Sequence, residues 1–254
     1  KERLFIGWNR TNPSDVYWSG AFIPQHYIPT DYRAIREDDG DHITFLKTQL
    51  GLLTVGKENT IQKLYNDQLD PDDWVVSDPF SYVGCPASFS VANSPLGLIY
   101  LARDGLYVFN GQNSTLLSDA VTPVIKDVLV TDIPNVFGFW FKNEYHMAYT
   151  STSSGSTTKN RVLVFDTTRL AYVIDFKTVN VLTAFASGDD FGILYFGDST
   201  TNGQIWSDSG DVPVLNKRLK SEFDAGTYDD TANYGEELTP TIELAWDTVI
   251  NSWT

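Results

Sequence analysis

The sequence contains a single cysteine, a single methionine and three histidines among its 254 residues. One cysteine, Cys85, excludes an intrachain disulfide and any cysteine-cluster metal site. The histidines His26, His42 and His146 stand apart, without the spacing that is typical of metal ligands. No apolar run approaches the roughly 18 residues that a transmembrane helix needs. These shortages predict a protein with no metal, no cofactor and no membrane-spanning segment.

Recognisable catalytic motifs are also missing. The sequence has no glycine-rich phosphate loop, no nucleophile elbow and no zinc-protease helix. A glycosidase needs two carboxylates flanking the sugar bond that it cleaves. With 33 acidic residues in the chain, some pair of carboxylates is always available, so their number is no evidence for a glycosidase. Sialidase propellers repeat a Ser-x-Asp-x-Gly-x-x-Trp turn, whereas residues 207–210 lack both the spacing and the tryptophan. The sequence therefore predicts a protein that is not an enzyme and has no catalytic residues.

Positive charge is scarce. The 18 Lys and Arg residues face 33 Asp and Glu residues, which gives a net charge of −15. Such a surface repels phosphate backbones and disfavours tight binding of nucleic acid. Solubility alone is the simplest reason for so much charge of one sign. The acidic clusters at residues 38–41 and 70–73 lack the full loop pattern of a calcium site, so they are interpreted as solvated turns.

Aromatic residues are abundant. The chain has 15 Phe, 13 Tyr and 7 Trp, 14% of its residues. Aromatic and β-branched side chains suit the half-buried faces of sheets, so this excess favours β-structure over helix. Trp18, Phe109, Tyr195 and Trp206 are predicted core aromatics. The dense group at residues 139–141 is assigned to packing between sheets rather than to a sugar-binding platform.

A strand–turn–strand phrase returns five times along the chain. Its copies begin at residues 2, 50, 96, 143 and 191, so the steps are 48, 46, 47 and 48 residues. A regular period filled with strands is typical of a β-propeller with one four-stranded blade per repeat. The sequence thus predicts an all-β fold with about five visible blades. A complete five-bladed ring and a larger ring with earlier blades remain as alternatives.

The clearest predicted blade covers residues 87–118. It has strands at 87–92, 96–102, 106–109 and 114–118, with Gly105 and Gly111 supplying positive φ angles in the hairpin turns. In the first repeat, residues 21–41 are interpreted as a long proline-containing excursion, and the polar residues 151–158 as a mobile loop. Other strands are predicted at 4–6, 16–19, 43–46, 50–55, 61–65, 74–76, 136–141, 145–150, 162–166, 171–175, 182–186, 191–196 and 204–207.

The repeated strand–turn–strand pattern ends near residue 210. Residues 1–210 are assigned to the propeller blades and residues 211–254 to an acidic segment that ends in a strand. Residues 241–246 alternate between apolar and polar side chains, as a strand does. This strand either closes the propeller or begins a further domain. Two single residues are given structural roles: Cys85 as a buried thiol and His146 as a packed or partnered side chain.

Several phrases resemble a diverse group of bacteriophage tail β-propellers. They are Arg3-Leu4-Phe5-Ile6 with Asp15-Val16-Tyr17-Trp18-Ser19, Leu50-Gly51-Leu52-Leu53-Thr54-Val55-Gly56-Lys57 with Thr60-Ile61, and Gly84-Cys85-Pro86-Ala87-Ser88-Phe89-Ser90 with Tyr100 to Gly111 and Leu117-Ser118. The similarity covers most of residues 1–210, and the order and spacing of the phrases are more specific than any one of them. It does not extend to the C-terminal stretch. Family members usually have further repeats before the first phrase.

The resemblance to tail hub, stabilisation and nozzle proteins implies a structural role. The expected protein is a virion component that forms a homo-oligomeric ring around the DNA channel and contacts other tail or adaptor proteins. DNA would pass the ring as cargo during ejection, and an acidic lumen would let it slide. The alternatives are a glycan-binding or glycan-cleaving propeller, either a phage receptor-binding part or a secreted protein, and an interaction scaffold unconnected with virions.

Overall fold

A computed structural model of the chain describes residues 2–7, 9–68, 70–176, 181–186, 194–198, 205–208 and 217–219. The chain divides into two compact units, Lys1–Phe176 and Lys177–Thr254. Within the described residues, no helix has the length and apolar character needed to cross a membrane.

The first unit contains four antiparallel sheets, and in each of them the strands pair in chain order. The first sheet has three described strands, β1 (Phe5–Gly7), β2 (Asp15–Gly20) and β3 (Ile23–Ala34). The second consists of β4 (Ile43–Gln49), β5 (Leu52–Lys57), β6 (Ile61–Tyr65) and β7 (Val75–Val76). The third consists of β8 (Ala92–Ser94), β9 (Gly97–Leu101), β10 (Leu106–Phe109) and β11 (Ser114–Leu116). The fourth consists of β12 (Phe137–Phe141), β13 (Glu144–Tyr149), β14 (Arg161–Asp166) and β15 (Ala171–Phe176).

The second unit contains a fifth antiparallel sheet of the same pattern. Its strands are β16 (Val181–Ala186), β17 (Leu194–Asp198), β18 (Ile205–Asp208) and β19 (Lys217–Leu219), paired in chain order. The prediction of an all-β chain built from four-stranded antiparallel sheets is therefore confirmed. The predicted strand at residues 241–246 lies outside the described residues.

Short helical segments connect the third and fourth sheets. Helix α1 (Thr122–Asp127) has a proline in its first turn, where the missing N–H costs nothing. Turns of 3-10 helix lie at Ser118–Val121 and Val130–Asn135 on either side of it, and others at Pro71–Asp73 and Ser88–Ser90. Sequence reasoning did not predict α1.

Two apolar cores join consecutive sheets of the first unit. Val16 and Trp18 of the first sheet pack with Leu53 and Leu64 of the second and with Trp74, just before β7. The indole rings of Trp18 and Trp74 have their centroids 4.8 Å apart. A second core joins the second, third and fourth sheets through residues such as Phe45, Phe109, Tyr145, Met147 and Phe165. Burying each large apolar side chain contributes about 1.5–3 kcal/mol, so these shared faces hold the sheets together.

The segment at residues 87–92 is not the predicted strand. Residues Ser88–Ser90 form a 3-10 turn, and β8 begins only at Ala92. The Ser90 hydroxyl donates to the Ala87 carbonyl at 2.7 Å and accepts from the Leu101 N–H at 2.9 Å. Such local side-chain hydrogen bonds compete with strand pairing, and alternation of residue types does not reveal them.

The prediction that residues 21–41 form a long excursion outside the sheet is also wrong for most of these residues. Residues Ile23–Ala34 form β3, which pairs with β2 through two register shifts. β3 lies at the edge of its sheet. An edge strand tolerates Pro24 and Pro29, because an N–H facing away from the sheet needs no partner. The prolines therefore mark an edge strand rather than a loop.

The two glycines predicted to matter for hairpins act in different ways. Gly111 has a φ of 102°, as expected for its turn. Gly105 has no positive φ, so the conformational reason given for it is wrong. A Cβ on Gly105 would lie 2.5 Å from Leu116 Cδ1 and 2.8 Å from Ser118 Oγ, so a larger residue there would have to shift these side chains.

The polar loop at residues 151–158 is bound to the end of α1, whereas the sequence predicted a mobile loop. The Ser151 hydroxyl donates to one oxygen of the Asp127 carboxylate at 2.5 Å, and the Ser153 N–H donates to the other at 2.7 Å. The Thr152 N–H donates to the Asp127 carbonyl at 2.7 Å. Burial alone would raise the pKa of Asp127, but these hydrogen bonds and the Arg161 charge lower it overall.

We expect Asp127→Asn to lower the free energy of unfolding at neutral pH by about 1 kcal/mol, because charge-assisted hydrogen bonds are lost. A carboxyl whose folded pKa lies below its unfolded pKa stabilises the protein above the unfolded value, near 3.9. That contribution disappears as the pH falls through the folded pKa. Thermal unfolding between pH 3 and 7 should therefore show the gap between wild type and variant closing in acid. Asp119→Asn, at an exposed side chain, is the control, and an equal gap for it would contradict this account.

Candidate functional site

The main cluster of charged groups in the first unit is the loop between β3 and β4. Its residues 37–42 include Glu37, Asp38, Asp39 and Asp41. Together with residues 11–15, this loop borders a cavity of about 720 Å³. The lining is rich in carboxylates, so the cavity repels anions and favours cations.

Lys57, at the end of β5, binds this acidic loop through its side chain. Its side chain is fully buried, and its ammonium lies 2.8 Å and 2.9 Å from the two oxygens of Asp39. The ammonium also donates to the Arg36 carbonyl at 3.0 Å. Arg36 and Asp38 have positive φ values of 49° and 61°. Lys57 thus holds a strained backbone turn in place through three hydrogen bonds.

Asp41 has a structural role as well. Its carboxylate accepts from the backbone N–H groups of His42, Glu58 and Asn59, at 2.9–3.0 Å. Asp41 is buried, so the interpretation of residues 38–41 as a solvated turn is wrong for this residue. Asp41 therefore ties the loop to the hairpin between β5 and β6. The second acidic cluster fits its prediction better, because Asp70 only caps the exposed 3-10 turn Pro71–Asp73.

Asp41, His42 and Glu58 offer ligand atoms within 4.8 Å of one another, so they form the group best placed to hold a cation. Each carboxylate already has partners in the protein. Asp41 binds three N–H groups, while Glu58 pairs with the Arg103 guanidinium and lies 3.7 Å from His42. A cation would compete with Arg103 and His42 for the Glu58 carboxylate. The arrangement thus works as an electrostatic clamp between the acidic loop, the β5–β6 hairpin and the third sheet.

Cys85 is a buried structural thiol, as predicted. Its side chain is fully buried, and burial raises its pKa to about 12 despite hydrogen bonds with Ser90 and the Ala87 carbonyl. A thiol with so high a pKa is a poor nucleophile at neutral pH.

We expect the folded protein to resist the thiol reagent DTNB at pH 8, with a rate at least about a hundredfold slower than in urea. Both burial and the raised pKa of Cys85 keep the thiolate from the reagent. Release of thionitrobenzoate measures the reaction, and the urea-unfolded chain with its one thiol supplies the control. Rapid reaction of one equivalent in buffer would contradict the burial of Cys85.

The buried tyrosine hydroxyls are structural too. Tyr145 donates to the Ser90 carbonyl at 2.7 Å, and burial raises its pKa far above the usual value. Tyr172 donates to the Leu117 carbonyl at 2.6 Å, and burial raises its pKa to about 12. These hydroxyls stay protonated and join neighbouring segments of the core, so they are unsuited to proton transfer near neutral pH.

The structure confirms only some of the structural roles that the sequence predicts for aromatic and histidine side chains. Trp18 and Phe109 are buried as predicted, whereas Tyr195 is only partly buried. The side chain of Trp206 lies outside the described residues. His146 stacks on Phe139 with ring centroids 4.8 Å apart and lies 3.3 Å from Glu144, so it is packed and partnered as expected. Within the aromatic group at 139–141, Trp140 packs against the larger core.

Comparison with known proteins informs the fold. No protein-family model matches the chain, and no curated protein sequence matches it. Among solved structures, it is similar to BBS1N in complex with ARL6DN, from a mercury-soaked crystal, with a TM-score of 0.52 and 14% identity. The match covers 83% of this chain and 62% of that one. BBS1N is a β-propeller. The described sheets therefore have a propeller-like fold.

A second structure of the same complex, from a lead-soaked crystal, gives the same picture. Its TM-score is 0.50 at 13% identity, and the match covers 82% of this chain and 62% of that one. The chain thus spans less than two thirds of the length of the chain in these two structures. At such low identity the likeness concerns the fold alone, because one fold hosts many unrelated functions.

Proposed function

We propose that this chain is a non-enzymatic structural component of a bacteriophage tail: a hub, nozzle or adaptor. In this proposal it forms part of a ring around the DNA channel, contacts other tail proteins and is located in the virion. The observation that carries the proposal is the order and spacing of the phrases that resemble tail propellers. Most of these residues lie on strands, in hairpins or in the turns before strands of the first three sheets, and Leu117-Ser118 follow β11.

The placement of these phrases supports a shared architecture. Arg3 to Ile6 leads into β1, and the second phrase leads through the turn at Leu50 and Gly51 into β5. The third includes the β9–β10 hairpin, where Leu106 pairs with Leu101 and Phe109 with Leu98. We propose that the sheets are blades of one propeller with about five visible blades, either complete or part of a larger ring. Rigid blades packed through apolar faces suit a component that must keep its shape under load.

The acidic surface supports the part of the proposal that concerns DNA. A net charge of −15 repels the phosphate backbone, so a channel with this surface would let a duplex slide. The purified chain should therefore leave duplex DNA unshifted in a native gel, even at low salt where basic proteins bind most strongly. Retarded DNA at low salt would count against an acidic sliding surface.

Antibodies against the purified chain, applied to virions of the phage that encodes it, test the proposed location. Negative-stain electron microscopy with gold-labelled secondary antibody should place the label at the tail. Virions treated with pre-immune serum are the control. Label absent from virions, together with the chain recovered from the culture medium, would overturn the proposal. A glycan array would then test the alternative sugar-binding role.

A further inference from the structure

A second cavity of the first unit lies between β3 and the 3-10 turn Pro71–Asp73. It has a volume of about 670 Å³. β3 is the last strand of the first sheet, and the turn precedes β7, the last strand of the second. A guanidinium nitrogen of Arg33 donates to the Pro71 and Asp72 carbonyls at 3.0 Å and 3.2 Å, so it connects the two walls. The cavity is therefore bounded by two neighbouring sheets of the same unit.

The first sheet supplies hydrogen-bond donors to this cavity. Val16 pairs with Arg33, so Arg33 lies on the same face of the sheet as Trp18, two residues beyond Val16. Arg3 borders the cavity as well, and its guanidinium lies 5.9 Å from the ring centroid of Trp74. The Trp74 ring in turn contacts Trp18, with centroids 4.8 Å apart. Two guanidinium groups and an indole N–H thus belong to one region.

Two of these donors have no hydrogen-bond partner among the described residues. The Trp18 side chain is 3% exposed, and its indole N–H, its single polar group, forms no hydrogen bond. The Nε of Arg33 is also buried and unpaired. Buried donors in folded proteins are nearly always paired, so these N–H groups indicate an oxygen acceptor from solvent or from a ligand.

Carboxylates line the same cavity without neutralising the arginines. The acidic residues of the lining are Asp31, Glu37, Asp70 and Asp72. Neither Arg3 nor Arg33 forms an ion pair within the described ranges of the chain. Asp70 is used by its own turn, where it accepts from the Asp72 N–H. Asp31 is half-buried and Glu37 is exposed, so both can accept from a ligand.

This mixture of charges restricts the ligand. Asp31 and Glu37 repel an anion, whereas Arg3 and Arg33 repel a cation, so a ligand with one sign of charge meets repulsion from either pair. A hydroxyl group both donates and accepts. A neutral molecule with many hydroxyls can therefore pair with the carboxylates and with the N–H groups at once. The volume lies within the range of small-molecule binding sites.

We propose that this cavity binds a neutral oligosaccharide. Its oxygens accept from Arg3, from the Arg33 Nε and from the Trp18 indole N–H, while its hydroxyls donate to Asp31 and Glu37. The inference goes beyond the proposed function, which gives the chain a place in the tail but no ligand. A tail component with this site would bring the tail into contact with a surface that carries saccharides.

A glycan array of neutral and acidic oligosaccharides, probed with the purified full chain, tests the ligand class. Neutral oligosaccharides are expected to bind. Free amino acids and short peptides, which also carry donors and acceptors, are expected to leave the melting temperature of the chain unchanged. Isothermal titration with the neutral oligosaccharide that binds most strongly to the array then gives the dissociation constant.

Variants on both sides of the cavity test its location. Asp31→Ala and Arg3→Gln should each raise the dissociation constant at least about tenfold, because each removes hydrogen bonds to the ligand. Asp119→Ala, at an exposed carboxylate between the third and fourth sheets, is the control and should leave it unchanged. Circular dichroism and melting temperature verify folding. Asp31 has no side-chain partner among the described residues, so Asp31→Ala decides the matter even where Arg3→Gln fails to fold.

Three results would overturn the proposal. They are an array without bound oligosaccharide, binding that Asp31→Ala leaves unchanged, and binding of amino acids or peptides alone, which would identify a zwitterionic ligand. Each is distinguishable from failure of the proposed function. A chain that binds no saccharide but labels the virion tail keeps the tail assignment and loses this site. A chain that binds saccharide through this cavity but is absent from virions keeps the site and rejects the tail.

Discussion

Gly138→Ala is expected to lower the free energy of unfolding by about 3–5 kcal/mol. Gly138 lies on β12 opposite Met147 of β13. A Cβ at this position would overlap both the Ser90 carbonyl oxygen and the Tyr145 hydroxyl. These two groups form a buried hydrogen bond of 2.7 Å between the 3-10 turn Ser88–Ser90 and the fourth sheet. The added methyl group therefore crowds the core and separates two buried polar partners.

Urea unfolding monitored by tryptophan fluorescence measures this effect. Gly20→Ala on β2 is the matched control, because a Cβ there meets only ordinary contacts at 3.6 Å or more and its φ is not positive. Replacing such a strand glycine is expected to be neutral or slightly stabilising. If both variants unfolded at the same urea concentration, the close approach of β12 to Ser90 would be refuted.

Lys57→Met is expected to cost about 3 kcal/mol. The substitution keeps the length of the side chain but removes the charge that neutralises Asp39 and the donor that binds the Arg36 carbonyl. Asp39 retains some contact with water, so its isolated charge costs less than in a closed interior. We also expect the acidic loop to become more accessible to protease, because Lys57 holds its strained backbone in place.

Chemical unfolding together with limited proteolysis measures both consequences of Lys57→Met. Lys47→Met on β4 is the control. Lys47 is only partly buried, and among the described residues its ammonium forms no ion pair. Asp39→Asn completes a double-mutant cycle, in which a coupling energy near zero would show that the buried pair is unimportant.

The strands bounded by strong turn signals were predictable from sequence. β6 and β10 begin and end where the pattern placed them, because alternating apolar residues and adjacent turn residues indicate the same boundaries. β3 was missed, since two prolines and many polar residues conceal an edge strand whose side chains are mostly exposed. The turn Ser88–Ser90 depends on hydrogen bonds from one serine hydroxyl, which no residue pattern encodes.

The acidic loop was found from sequence, but its role was not. Three carboxylates within residues 38–41 predict a solvated turn, and only the position of Lys57, eighteen residues beyond Asp39, shows that one of them is paired. Lys57 ends a strand in the sequence like any exposed lysine, so nothing in the pattern signals its burial.

Cryo-electron microscopy of the assembly that contains this chain tests the central claim most directly. The account predicts a closed ring of copies around an axial channel, with acidic side chains lining the channel. An isolated propeller with an open funnel lined by aromatic side chains, bound to no tail protein, would contradict it.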